Sequence, residues 1–133
     1  MGTWDTGIFD NDAACDWVCD LEEAEEDNFL DRTLDAAIRG EMVRYPTYAE
    51  HSALAAAEII AALLGRPCGA LTETAEEWLA NNPRPPSPEL VEKALVAIDK
   101  VAADSLLAKS IRFEKSKKAA WEACIEDLKA RLK

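Results

Sequence analysis

The apolar stretch Ala53–Leu64, which only Glu58 interrupts, constrains the fold of this chain more than any other feature. A helix that is apolar on nearly every side has to be covered by protein unless it lies in a membrane. The stretch is shorter than the about 20 apolar residues that cross a bilayer. Three consecutive alanines, residues 55–57, allow neighbouring elements to approach closely. The sequence therefore predicts a central helix from Tyr48 to Leu64, surrounded by other helices.

Local start and stop signals set the bounds of this helix and of its neighbours. Thr47 and Glu50 have the spacing of a capping box, and Gly65 follows the apolar stretch. Ser87-Pro88-Glu89 supplies an N-cap, a first-turn proline and a first-turn acid. Apolar residues at helical spacing predict the other helices as follows: Asn11–Glu26 with Asp10 as its cap, a second helix capped by Asn28 or Asp27 and stopped by Gly40, Glu73–Asn81, a fifth helix from Pro88, a short helix from Asp104 or Ser105 to Phe113, and Ser116–Leu132.

The remaining segments complete the predicted architecture. Residues 1–9 have no helical period and are expected to form an ordered, non-helical N-terminal arm. Residues 83–87 are rich in proline and form a stiff connector inside the domain. Strand signals are missing, and 133 residues fit one domain. The prediction is an all-α fold, an irregular bundle of about six to seven helices, in a single domain over residues 1–133.

Charge is distributed unevenly along the chain, whose formal net charge is −11. Residues 1–35 contain twelve acids and a single base, Arg32, whereas residues 109–133 contain eight bases and four acids. The acidic start repels a phosphate backbone, so nucleic-acid binding is not expected, and a basic protein partner is compatible with it. Three other interpretations stay open: the two ends pack near each other, the acidic face only aids solubility, or the acidic start of one copy binds the basic end of another.

The sequence gives no indication of a membrane or secretory protein. Asp5, Asp10 and Asp12 stand where a secretory signal has its positive and apolar residues. We therefore expect a cytoplasmic protein that does not bind a membrane.

The chain opens with the run MGTWDTGIFDNDAACDW, over residues 1–17. This run resembles the signature of a bacterial family known as domain of unknown function 4259. The similarity extends to Asp20-Leu21, to Leu64-Gly65, and to Trp121 and the run Leu128–Leu132. Members of the family usually carry Gly at the position of Asp5 and often a small residue at that of Cys19, so a role that needs bare backbone is not expected there. The resemblance implies a type of domain and no particular activity.

The N-terminal acids are the main candidates for a functional site. Asp12, Asp16, Asp20 and Glu23 recur at helical spacing and share one face of the first predicted helix, where they can meet a basic partner. As an alternative, Asp10, Asp12 and Asp16 lie within two turns, and such carboxylates can hold a hard divalent cation. The EF-hand pattern is missing, because no Gly stands at the sixth position from Asp10 and no Glu at the twelfth.

Four cysteines and one histidine complete the reactive side chains. Cys15 and Cys19 share a helix face, and a zinc site with Cys68 and Cys124 stays open, although the C-x3-C spacing is not that of a zinc knuckle. Because the Cβ atoms of Cys15 and Cys19 diverge on a helix, free thiols are predicted rather than a disulfide. His51 has no nucleophile at a characteristic spacing, and neither a phosphate loop nor a dinucleotide fingerprint occurs.

These observations favour a protein-interaction or accessory module without catalysis of its own and without a cofactor. It would bind a basic partner through Asp12, Asp16, Asp20 and Glu23. The alternative is a divalent-metal-dependent enzyme that uses Asp10, Asp12 and Asp16.

Overall fold

The computed structural model describes residues 12–24, 28–41, 44, 47–67, 71–82, 84–103 and 115–133, with the side chains of 12 and 115–117 left out. The predicted N-terminal arm, the Asp10 cap and the short helix that ends at Phe113 lie outside the described residues.

The described residues form six helices in chain order, and all their regular secondary structure is helical. This confirms the all-α prediction. The bounds are as follows: α1 Asp12–Glu23, α2 Phe29–Arg39, α3 Tyr48–Leu63, α4 Glu73–Asn81, α5 Pro88–Ala103 and α6 Lys115–Leu132. The bounds of α4 are those expected from the sequence, and α6 begins one residue before the predicted Ser116.

Helix α3 lies at the centre of the bundle, as predicted, and α1, α2, α4, α5 and α6 all pack against it. Its residues from Ser52 to Ala61 are buried on all sides. Ile59 and Ile60 are fully buried, and each contributes roughly 1.5–3 kcal/mol to folding relative to an exposed side chain. Around α3, α2 packs on α5, α4 on α1, and α6 on α5. None of the helices in the described ranges is both long enough and apolar enough to cross a membrane.

Glycines end two of the helices in the predicted way. Gly40 follows α2 with a φ of 71°, and Gly65 follows α3 with a φ of 85°. At both ends a Schellman pair of backbone hydrogen bonds closes the last turn, with Glu41 donating to Ala36 and Arg66 donating to Ala61. A Cβ atom at either glycine would meet nothing within 4 Å. The backbone conformation, rather than a lack of space, therefore requires glycine at these two positions.

The starts of the helices agree less well with the sequence signals. Ser87 caps α5 as predicted, because its Oγ accepts a hydrogen bond from the Leu90 amide at 3.1 Å. Thr72, which the sequence reasoning missed, caps α4 in the same way through the Ala75 amide. The capping box predicted at Thr47 is wrong: the residue has a φ of 67° and its side chain makes no capping hydrogen bond. A capping threonine needs extended backbone, and Thr47 is left-handed.

Helix α1 ends at Glu23, three residues before the predicted end at Glu26. Its last turn contains no basic residue, and Glu22 and Glu23 lie at the negative end of the helix dipole. Like-charged groups at that end disfavour continuation of the helix. The Ala24 amide donates to the Leu21 carbonyl at 3.2 Å in a tighter closing turn.

A buried ion pair joins α6 to the centre of the bundle. Glu58, only 3% exposed, accepts from Arg131 at both carboxylate oxygens, with distances of 2.6 Å to Oε1 and 3.0 Å to Oε2. Arg131 also donates to Asp127 on its own helix at 2.9 Å and to the Arg66 carbonyl at 3.3 Å. The hydrogen bond to Glu58 raises the pKa of Arg131, so the guanidinium stays charged. The residue that interrupts the apolar stretch is thus the anchor of α6.

Candidate functional site

The two faces of α1 differ sharply in character. The inner face contributes Ala14, Trp17, Val18 and Leu21 to the core, as their helical spacing predicts. The outer face is exposed to solvent and consists of acids and thiols, with these exposed members: Cys15, Asp16, Cys19, Glu22 and Glu23. The helix contains no base anywhere along its length. A band of carboxylates to which α1 itself contributes no base therefore lies on the surface of the protein.

The four acids predicted to bind a partner do not share one environment. Asp16 and Glu23 are exposed, and the side chain of Asp12 lies outside the described residues. Asp20 is half-buried and its Oδ2 accepts two hydrogen bonds, from Arg44 Nη2 and from Tyr48 Oη, each at 3.0 Å. Asp20 thus connects the acidic face to the start of α3, and sequence reasoning missed both of its partners.

A cleft of about 730 Å³ opens next to Asp20, between α1, α2 and the first turns of α3. Trp17 and Phe29 stack within it, with ring centroids 5.7 Å apart. Trp17 Nε1 donates to the Thr33 hydroxyl at 2.9 Å, and that hydroxyl donates to the Phe29 carbonyl at 3.0 Å. This chain of hydrogen bonds fixes the aromatic wall of the cleft relative to α2. A volume of this size falls in the range of small-molecule and side-chain pockets.

Charged groups of α2 line the other side of the cleft in pairs. Arg39 lies 2.9 Å from Asp35 and 3.6 Å from Glu41. Lys93 of α5 lies 2.9 Å from Asp31 and 3.8 Å from Asp35. The hydrogen bond to Asp31 raises the pKa of Lys93. Asp35 therefore has a base on two sides, whereas Glu23 on the α1 side of the cleft is exposed.

Arg44 and the buried Tyr48 line the cleft next to Asp20. The guanidinium carbon of Arg44 lies 4.9 Å from the centre of the Tyr48 ring, in a cation–π arrangement. Burial, together with the hydrogen bond to Asp20, raises the pKa of Tyr48 to about 12. Arg44 has a φ of 63°, a conformation that costs a non-glycine residue roughly 1–2 kcal/mol. An exposed ion pair and an exposed cation–π contact each contribute at most about 1 kcal/mol, so the side chain of Arg44 is weakly held.

Ser52, one turn after Tyr48, lies deep in the same cleft. It is 2% exposed and belongs to the residues that line the cavity. Interaction with the Ser52 hydroxyl lowers the pKa of the Tyr48 phenol against the larger effect of burial, but Ser52 Oγ is outside strict hydrogen-bonding geometry with the groups of the described residues. A buried hydroxyl without a partner is costly and uncommon. Ser52 Oγ is therefore a polar atom available to a group that enters the cleft.

The other predicted candidates are not brought together within the described residues. Asp16 is exposed, Asp10 and the side chain of Asp12 lie outside that part of the chain, and no group of three or more metal-ligating side chains converges within it. Cys15 and Cys19 are exposed and are not joined in a disulfide.

His51 and Cys124 lie apart from the cleft lining. Burial lowers the pKa of His51 to about 4, so this half-buried imidazole is neutral near pH 7. Cys124 is half-buried on α6, and Cys68 lies outside the described residues.

The family model described as a domain of unknown function (DUF4259) matches residues 2–123. The chain belongs to this family. The match confirms the resemblance carried by the opening run and includes Asp20, Arg44, Tyr48 and Ser52, whereas the run Leu128–Leu132 lies beyond the matched residues. Neither the curated proteins nor the solved structures include a match to the chain. The description of the DUF4259 family names a domain and no activity.

Proposed function

We propose that this member of the DUF4259 family is a non-catalytic interaction or accessory module of the bacterial cytoplasm, which acts as one domain over residues 1–133. It binds a basic protein partner through the acidic face of α1, formed by Asp12, Asp16, Asp20 and Glu23. The observation that carries the proposal is the outer face of α1, where carboxylates are exposed and the helix supplies no base to neutralise them.

Exposed carboxylates favour a binding role over a stabilising one. A single exposed ion pair contributes only about 0–1 kcal/mol, so such a face adds little to folding. Several like charges on one face, however, accelerate encounter with an oppositely charged protein and orient it. The cleft beside Asp20 adds a concave, partly aromatic surface to this face. The charge of the α1 face and the concave shape of the cleft together provide a more specific binding surface than a flat acidic patch would.

The proposal is tested by quantitative capture with three forms of the protein as bait. The first is the native chain, and the second carries Asp16→Lys and Glu23→Lys on α1. The third carries Glu89→Lys and Glu92→Lys, which make the same charge change at exposed positions of α5. Extracts of the source cells are passed over each bait, and the captured proteins are identified and quantified by mass spectrometry.

We expect a basic protein that the native chain and the α5 variant capture equally and that the α1 variant loses. Binding of that protein, once purified, should weaken as salt is raised, because exposed charges are screened within about 10 Å at 0.1 M ionic strength. Capture that survives reversal on α1, or is lost equally with both variants, would contradict the proposal. Recovery of the same chain as the captured protein would indicate self-association instead.

A further inference from the structure

The contacts of Arg44 show how the cleft recognises a positive group. Its guanidinium donates to the Asp20 carboxylate at 3.0 Å while it lies over the Tyr48 ring, 4.9 Å from the ring centre. A carboxylate beside an aromatic face is the arrangement that suits a planar guanidinium, which can donate at its edge and stack through its face. The contacts of Arg44 are thus an example, within the same chain, of how a guanidinium group fits between Asp20 and Tyr48.

Arg44 lines the cleft and contacts the carboxylate of Asp20 through one of its side-chain nitrogens. The side chain of Arg44 is 48% exposed, and one nitrogen, Nη2, contacts the Asp20 carboxylate. The cavity behind it measures about 730 Å³, more than one side chain fills. Glu23 and the buried Ser52 also line the cavity, and Ser52 Oγ has no partner in hydrogen-bonding geometry among the described residues.

We infer that this cleft is a binding site for an arginine side chain of the partner protein, which takes the place of Arg44 between Asp20 and Tyr48. The inference rests on the proposed function and names the chemistry by which the basic partner is recognised. The incoming guanidinium donates to Asp20 and to Ser52 Oγ, stacks on Tyr48, and is close to the second carboxylate of Glu23. Arg44 is the internal competitor that the partner displaces.

Displacement is feasible because Arg44 is weakly held. Its side chain is 48% exposed, and its exposed ion pair and cation–π contact each contribute only weakly to stability. A bound partner arginine is more buried than Arg44, and a charged hydrogen bond is stronger where water is excluded. A lysine can reach the same carboxylate but lacks the planar face and the several donors of arginine. The cleft therefore prefers arginine over lysine.

The probe for this site is the peptide acetyl-Gly-Arg-Gly-amide, titrated into the isotope-labelled protein and followed by nuclear magnetic resonance. The matched control peptide carries citrulline, which has nearly the same shape without the charge, and a third peptide carries lysine. The protein is studied in its native form and as Arg44→Gln, with Arg39→Gln as the control for loss of another arginine at the same cleft.

We expect Arg44→Gln to bind the arginine peptide roughly threefold to tenfold more tightly than the native chain, because a competing internal group no longer occupies the site. The Arg39→Gln variant should bind like the native chain. Adding Asp20→Asn to Arg44→Gln should weaken binding at least about tenfold, since a charged acceptor is lost. The citrulline peptide should not bind, and the lysine peptide should bind more weakly than the arginine peptide.

Ser52→Ala provides a second test in which the substitution is not expected to impair folding. Ser52→Ala removes a buried hydroxyl that has no partner, so the free energy of unfolding should stay the same or rise. The same substitution should nevertheless lower the affinity for the arginine peptide by roughly threefold in the Arg44→Gln background. Unchanged binding in Ser52→Ala, equal affinities of native and Arg44→Gln protein, or equal binding of arginine and citrulline would each overturn the inference.

The capture and peptide experiments separate this inference from the proposed function. If capture depends on Asp16 and Glu23 while changes at Arg44, Asp20 and Ser52 leave peptide binding unaltered, the cleft inference is wrong and the acidic-face function stands. If the arginine peptide binds as expected but capture is insensitive to charge reversal on α1, the site stands and the proposed function is wrong.

Discussion

The two ends of α3 hold an arginine in contrasting ways. Near the end of the helix, Glu58 binds Arg131 through two oxygens, and the side chain of Arg131 is 16% exposed. Near its start, Asp20 accepts a hydrogen bond from one nitrogen of Arg44, whose guanidinium also lies over the Tyr48 ring, beside an open cleft. The first pair excludes water and joins two distant segments, whereas the second leaves space and donors for another group. The two ion pairs therefore differ in burial, and under our inference the buried pair is structural while the exposed pair exchanges with a partner arginine.

The largest effect on stability is expected at the closed end of α3, the end that holds the buried pair of Glu58 and Arg131. Glu58→Gln removes the charge that compensates Arg131 in a mostly dry environment, and it should lower the free energy of unfolding by about 3–5 kcal/mol. Asp127→Asn removes the exposed partner of the same guanidinium and should cost less than about 1 kcal/mol. Urea unfolding of both variants measures the contrast. Equal midpoints for the two variants would show that burial does not distinguish these carboxylates.

Acid should destabilise the folded protein through His51. This residue lies one position before Ser52, at the open end of α3, the end beside the cleft. The pKa of this imidazole is about 4 in the folded chain and 6.5 when unfolded, so the unfolded state binds a proton more readily. Its effect is absent above pH 6.5, and stability falls as the pH decreases from 6.5 to 4, by at most about 3 kcal/mol. Comparison of native protein with His51→Gln over this range isolates the contribution. Parallel stability curves would contradict it.

Loss of the carboxylate at the open end should have a smaller effect. Asp20→Asn removes the charge that Arg44 and Tyr48 contact but keeps an acceptor oxygen, so the free energy of unfolding should fall by about 1 kcal/mol. The pKa of Tyr48 should also decrease from about 12, yet stay above 10, because burial is the main cause of its increase. Alkaline absorbance titration of the variant gives this pKa. A loss of stability as large as that of Glu58→Gln would make the two ends equivalent.

The smallest effect is expected for Arg44 itself. Arg44→Gln removes an exposed ion pair and an exposed cation–π contact but leaves the left-handed backbone, and the free energy of unfolding should fall by less than about 1 kcal/mol. Arg131→Gln serves as the counterpart at the closed end and should cost several times more, since Glu58 would stay buried with its charge. Thermal unfolding of the pair provides the most direct comparison between the two arginines.

Local chemistry made part of this fold predictable. The bounds of α4, the Ser87 cap of α5 and the glycine ends of α2 and α3 follow from side-chain and backbone preferences within a few residues. The central position of α3 follows from its apolar surface, which has to be covered. These features depend on neighbours along the chain or on hydrophobicity, and both can be read from a single sequence.

The features that escaped prediction depend on neighbours in space. Thr47 has the residue type of a cap, but its backbone is left-handed and its side chain makes no capping hydrogen bond. Glu58 looked like an interruption until its partner, 73 residues away, was known. Asp20 looked like one of four equivalent acids, and only the fold shows that Arg44 and Tyr48 meet it. Arg44 stands next to Tyr45-Pro46 in the sequence, and no local pattern there predicts a contact between Arg44 and α1.

The clamp between Glu58 and Arg131 also has a consequence for biosynthesis. A ribosome makes α3 before α5 and α6, so the most apolar helix of the protein emerges well before two of the helices that cover it. Until residue 131 has left the exit tunnel, the Glu58 carboxylate has no counter-charge and keeps its hydration, which opposes early collapse around α3. Nascent chains that end between α3 and α6 should consequently bind trigger-type chaperones and be cut readily by proteases, and protection should appear in one step when α6 is complete.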